Sequence, residues 1–443
     1  MASELRALGA RIAATDAARA PAAERLALEQ GMRASLLCTL LGVEREQWVW
    51  DFAVRARQGN ARARMLAGVF QPLGGIGHLA TLAGASDLDP MDPGPSHTVL
   101  PATLAACIAA ALDDPAPEAA EADRRIANGV LAGVEAAWRM RRAVTGTRPG
   151  VGFHSPGVFG TIAAAAAAAR TLALDELQCS NAVAIALTRA GGLGINSAAS
   201  MIGMTHFGWG AAHGLEAALL AAEGWDASHD VERALASLFG QAQIDVAALD
   251  DSAAPAAVAG LVFKRYPCNI YLNLLVSMLD AVQDKPVDRI EVRMPWIPHL
   301  DCPHPRDLRQ ARNSAQAVAA IAGTGDASYA AFSGPSGPWQ PAPEVSRLLA
   351  NVELVADRTA PTRLNEAVLG VRAWRGAALV QDAQGAVREL GGWGIEHARR
   401  LLGPQGAGSA DALYGGTVLA GFAHVNERLR ATARGVGAST WKQ

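Results

Sequence analysis

The chain has 443 residues, half of them apolar and 18% charged, and its 39 Lys and Arg against 42 Asp and Glu leave a formal charge of −3. That composition excludes a disordered chain and offers no basic excess for nucleic acid or an anionic membrane. Its five cysteines (Cys38, Cys107, Cys179, Cys268, Cys302) form no CxxC, and its charge-rich N-terminus has no signal-peptide core, so free thiols and a cytoplasmic location are expected.

From the N-terminus to about residue 260, apolar residues recur at helical spacing. Leu5, Leu8 and Ile12 predict one helix; Met32, Leu36, Leu37, Leu40 and Leu41 predict another. The nearly apolar run from Val99 to Leu112 is shorter than the roughly 18 residues a membrane span needs, and reads as a core helix. Residues Ile126 to Ala143 predict a helix with arginines on its outer face. The small residues of Gly160 to Arg170 and Asn181 to Ala190 predict buried helices whose axes approach closely. Glycines at 203, 208 and 210 predict a loop leading into a helix from Ala211 to Ala222.

After about residue 285 the period falls towards two. Asp288 to Met294 reads as a strand, Ala311 to Ala322 as a helix and Ser333 to Pro338 as a loop. Strands are then expected at Glu366 to Arg372, Ala377 to Gln381 and Val387 to Leu390, with a turn at 382–385. From Gly394 helical periodicity returns. The expected fold is mainly α: a large helical domain, 1–265 plus a C-terminal return at 400–443, with a smaller α+β lid domain inserted at 266–399.

Four segments carry candidate chemistry. Gly152-Phe-His-Ser-Pro-Gly-Val-Phe-Gly160 places His154 at a helix entrance, where backbone donors and the macrodipole favour anions. Phe263-Lys-Arg-Tyr-Pro-Cys-Asn-Ile-Tyr271 gathers Lys264, Arg265, Tyr266 and Tyr271 at a domain junction. Lysine occurs only at 264, 285 and 442, so one inside an apolar segment is a functional candidate. His206 and His213 stand seven residues apart without a third metal ligand nearby, and no metal is expected. A Pro/Gly-rich loop carries Asp87, Asp89, Asp92 and His97. No GxGxxG with a following acidic residue, P-loop or GxSxG is present.

Taken together these segments resemble the MmgE/PrpD family. The first is similar to its GFHPTGTFG segment and Lys264-Arg-Tyr-Pro-Cys268 to its K-x-[YFW]-P. His206-Phe-Gly208 is similar to its His-x-Gly, Gln310-Ala-Arg-Asn-Ser314 to its EARFS, and Pro95-Ser-His-Thr98 to the stretch beginning at the proline of its HPS. The resemblance implies a helical domain with an α+β lid, a homodimer, and a site between the domains that handles small carboxylates without metal or organic cofactor. Three family positions are altered: Gly203 replaces a lysine, Gly94 a histidine and Asn273 a histidine. A less highly charged or bulkier substrate follows.

The expected activity is a cofactor-independent lyase, a dehydratase or decarboxylase, that moves a proton beside a carboxylate. His154, Lys264 and Tyr266 are the candidate catalytic residues; Arg265, His97, Asp89, Asp92, His206, Tyr271, Asn273 and His213 are the candidate substrate-binding ones. An isomerase or epimerase, or an inactive carboxylate-binding homologue, remains open on the same scaffold.

Overall fold

A computed structural model of the chain describes residues 2–46, 49, 75–91, 98–113, 118–145, 152–240, 244–251, 256–282, 286–325, 328–333, 337–364, 366–387 and 394–439. The first part is helical: α1 (Ala2–Ala14), α2 (Ala22–Arg45), α3 (Gly75–Ala85), α4 (Leu100–Asp113), α5 (Ala119–Ala143), α6 (Ser155–Thr171), α7 (Glu176–Leu187), α8 (Ile202–Ala222) and α9 (Val231–Phe239). The alanine run of α6 lies at the centre, fully buried from Ile162 to Ala169 and flanked by α4, α5, α7 and α8. Alanine favours helix and keeps the surface thin enough for four neighbours to approach.

The loop expected before Ala211 is instead the first half of α8, which runs unbroken from Ile202. Its glycines serve packing. A Cβ at Gly210 would collide with the Pro156 carbonyl, and one at Gly214 with Ala164. Arg139 and Arg141, expected on the outer face of α5, are buried; Arg139 donates to the carbonyls of Leu249 and Asp251, and Arg141 to that of Val144.

The second part packs α10 (Ile270–Asp280), α11 (Leu308–Arg312), α12 (Ala315–Gly323) and α13 (Pro343–Leu349) with a four-stranded sheet. Its strands, β1 (Arg289–Pro295), β2 (Val352–Asp357), β3 (Val368–Arg375) and β4 (Ala378–Ala386), lie in the order β2-β1-β3-β4. β1 pairs in parallel with β2 and antiparallel with β3; Val292 opposes Val371 on the buried face. The turn expected at 382–385 lies inside β4. The chain reverses at Gly376, whose φ of +55° suits glycine. Residues 388–390 of the last expected strand lie outside the described residues. The single helix expected at 311–322 is two, because the Ser314 hydroxyl accepts from the Ala317 N–H and starts α12 afresh.

The chain then returns to helix in α14 (Ile395–Leu402), α15 (Ala407–Tyr414) and α16 (Val418–Ser439). Ala398, Leu401, Leu413 and Val425 join the first core, so the boundary expected at 399/400 falls inside α14. Among the described residues no helix is long and apolar enough to cross a membrane.

Met91 and Val262, which lie outside the α+β segment in sequence but belong to its core, exchange backbone hydrogen bonds of 2.9 and 2.7 Å. The two parts are joined by the buried Arg312 of α11, which donates to Glu46 at 2.7 Å, to the Ala85 carbonyl and to the Phe332 carbonyl. Burial opposes the Arg312 charge, but the Glu46 carboxylate outweighs it. Removing one partner strands the other charge in a low-dielectric interior. Arg312→Ala is expected to lower stability by about 3–5 kcal/mol in urea denaturation, and Glu46→Leu combined with Arg312→Met to regain much of it. An Arg312→Ala variant as stable as the parent would remove this pair from the account.

Candidate active site

His154 is the N-cap of α6. Its N–H bonds the Gly192 carbonyl at 2.8 Å, and Gly194 N bonds the Gly152 carbonyl at 2.7 Å, so two loops clamp the histidine in place. His206 sits in the first turns of α8, 2% exposed, and its Nδ1 lies 2.9 Å from Nδ1 of His154. Trp209 stacks on His206 with 5.4 Å between ring centroids, and Phe207 meets His154 edge-on at 6.0 Å. Gly192, at φ +106°, leaves room for this pair: a Cβ there would come within 3.1 Å of the His206 ring.

At 2.9 Å one Nδ1 must donate and the other accept, so the pair shares a single proton. Burial pushes the His154 imidazole well below its ordinary range, helped by His206, Arg309 and Lys264 and opposed by the Gly203 carbonyl. Burial, then Arg309, pushes His206 down to about 4. Both rings are therefore uncharged near neutrality.

Lys264, 5% exposed, donates to Asp87 at 2.7 Å and to Asp89 at 3.1 Å. Burial disfavours its charge, but the two carboxylates outweigh that and hold the ammonium. Asp87 adopts φ +56°, a costly conformation for a non-glycine residue, which aims its carboxylate at Lys264. Burial raises the Asp89 carboxyl, with Lys264 acting the other way; its Oδ2 has no partner among the described residues. The lysine expected to grip a substrate carboxylate is thus already held by two of the protein's own.

A cation that sequence reasoning missed faces the histidines instead. Arg309 of α11 donates to the Ser197 carbonyl, and its Nε is sealed from solvent without a hydrogen-bond partner among the described residues. Burial lowers its guanidinium to about 10, with the Asp87 charge opposing. The signal was its position next to the segment resembling EARFS, three residues before the Arg312 of that motif.

The structure brings together His154, His206, Lys264, Asp87, Asp89 and Arg309; several other candidates lie elsewhere. Asn273 is a loop clamp: its Oδ1 accepts from the N–H groups of Arg265 and Tyr266, and its Nδ2 donates to the carbonyls of Tyr266, Cys268 and Asn269. Tyr271 donates to the Thr362 carbonyl, and Tyr266 points to Asp280 at 3.4 Å. The Arg265 guanidinium lies beside His397 and Tyr266. His213, two turns beyond His206 on α8, lies beside Arg189 and Glu216. The sequence placed these near Lys264 or His206, and the backbone turned them away. His97 and Asp92 lie outside the described residues.

Residues 38–242, under half of the chain, match the family model described as MmgE/PrpD N-terminal domain, the family that the motifs resemble. The matched segment contains both histidines of the pair. The chain is similar to the cis-aconitate decarboxylase of Mus musculus, 31% identical over 184 residues that cover 38% of this chain and 37% of that protein. It is equally similar to the Homo sapiens cis-aconitate decarboxylase, 31% identical over 183 residues, 38% of each chain. The similarity thus spans under two fifths of these curated relatives.

Because its pKa is lowered, His206 is expected to stay neutral from pH 8 to pH 5 and to titrate near 4 in ring-nitrogen NMR. Arg309→Gln removes a neighbouring positive charge and is expected to move that midpoint upward. A midpoint between 6 and 7 in the parent protein would contradict the site as drawn.

Proposed function

We propose that the protein is a cofactor-independent lyase that acts on a small carboxylic acid by proton transfer at a carbon beside a carboxylate. The observation that carries this reading is the buried, uncharged histidine pair set among Lys264 and Arg309. A neutral imidazole in a water-poor pocket is a competent base at neutral pH. Cations nearby stabilise the charge that builds up as the proton leaves. The relatives, cis-aconitate decarboxylases by name, support a lyase on a carboxylic acid.

In the eliminating sense, a ring nitrogen of the pair takes the proton. The C–H electrons pass into an enediolate-like intermediate, and these electrons expel the β-hydroxyl, which takes the proton back from the pair and leaves as water. In the decarboxylating sense, the C–C electrons remain on carbon as CO₂ departs, and the pair relays a proton from water to that carbon, leaving hydroxide to be neutralised by solvent. His154 is the proton carrier in both, and His206 positions it through the 2.9 Å contact. Lys264, fixed by Asp87 and Asp89, supplies positive potential rather than a free grip. The α+β unit acts as the lid in this reading, and two copies pair as a homodimer; both features rest on the family likeness.

Incubation with small unsaturated and hydroxylated acids in deuterated water, followed by mass spectrometry, is expected to show either loss of CO₂ with deuterium on the carbon that it left, or loss of water. His154→Ala should slow it by about 10²-fold or more. Exchange at that carbon without loss of either group would replace the lyase by an isomerase, and product formation unchanged in His154→Ala would overturn the assignment.

A further inference from the structure

Two arginines on the five-residue helix α11 have opposite surroundings. Arg312 is satisfied: Glu46 and two carbonyls take up its donors, and its role is to join the two cores. Arg309 has one carbonyl, that of Ser197, and an enclosed Nε that bonds nothing among the described residues. No carboxylate among them reaches Arg309 within ion-pair distance, although Asp87, Asp307 and Glu46 favour its charge from farther off, while Lys264 has two in contact. A half-buried guanidinium with a sealed, unbonded Nε is costly unless an anion completes it. Its planar fork matches a carboxylate in a way an ammonium does not.

The charges of the neighbourhood limit that anion. Lys264, Arg309 and Arg312 are positive and Asp87, Asp89, Asp307 and Glu46 negative; Asp87 and Asp89 sit on Lys264, Glu46 sits on Arg312, and Asp307 accepts from the Gln310 N–H, so none of the four bonds Arg309. The histidine pair adds none near neutrality. Among the described residues of this neighbourhood one guanidinium is left for one carboxylate; a second or third would be desolvated beside Asp87, Asp89 and Asp307 without one of these cations to itself.

Building on the lyase reading above, we propose that Arg309 is the anchor for the substrate carboxylate and that the substrate is a monocarboxylic acid. The acid group sits on the guanidinium, and the carbon beside it faces the histidine pair. Arg309 is then the specificity-determining residue of the site, supplied by the α+β unit to chemistry housed in the helical part.

The test is calorimetric titration of the parent protein and of Arg309→Gln, Arg309→Lys and His154→Ala with crotonate, maleate and cis-aconitate as probes bearing one, two and three carboxylates. The parent is expected to bind crotonate at least about tenfold more tightly than maleate or cis-aconitate. Arg309→Gln should weaken crotonate by at least about tenfold, Arg309→Lys should restore part of that, and His154→Ala should bind crotonate within about threefold of the parent. Without ligand, Arg309→Gln should melt at or above the parent temperature, because the residue is kept for binding at a cost in stability. An unchanged crotonate affinity in Arg309→Gln, tighter binding of the more highly charged probes, or no binding of any probe by the parent would overturn the proposal. Loss of turnover in His154→Ala alongside normal crotonate binding in Arg309→Gln would remove the anchor and keep the lyase. Normal anchoring with no turnover on any acid would do the reverse.

Discussion

The close approach of α6 and α8 is the constraint on which the site depends. His154 is at the entrance of one helix and His206 near the start of the other, 52 residues apart in sequence and 2.9 Å apart in space. That distance exists because Gly210 and Gly214 lie against α6 where any side chain would collide, and because the facing surface of α6 is mostly alanine. Small residues here act through geometry. They bring two imidazoles so close that only one proton fits between them, and they exclude the water that would otherwise keep the rings basic.

A second layer of the account concerns how one junction handles its buried cations and carboxylates in different ways. Arg312 and Glu46 neutralise each other and hold the cores together. Lys264 is neutralised twice over, by Asp87 and Asp89, and becomes a fixed source of positive potential. Arg309 is left incomplete. Buried charges are expensive, so a protein that keeps one without a partner gives up stability for binding. The strained backbone at Asp87 belongs to the same arrangement, since it aims a carboxylate where relaxed geometry would not.

Much of the fold could be read from the sequence because periodicity reports which face of an element is buried. The helical stripe at Leu5, Leu8 and Ile12, the apolar run of α4, the alanine run of α6 and the alternation of β1 all lie where their patterns predicted. The glycines of α8 misled because the same residue type breaks a helix in solvent and permits tight helix packing in a core. The site was partly legible. His154, Lys264, His206 and Asp89 share one neighbourhood, but Tyr266, Tyr271 and Asn273 were selected for closeness in sequence to Lys264, and their polar atoms are taken up by Asp280, by the Thr362 carbonyl and by the 265–269 backbone. Arg309 was out of reach because it is one of many arginines, and only three-dimensional packing reveals which of them lacks a counter-ion.

The measurement that bears most directly on this account is a crystal structure of the protein with crotonate bound. The account predicts the carboxylate on the Arg309 guanidinium, with the adjacent carbon about 3–3.5 Å from a ring nitrogen of the histidine pair, as a near-attack geometry requires. Crotonate bound to Arg309 but turned away from the histidines, or bound outside this neighbourhood altogether, would contradict it.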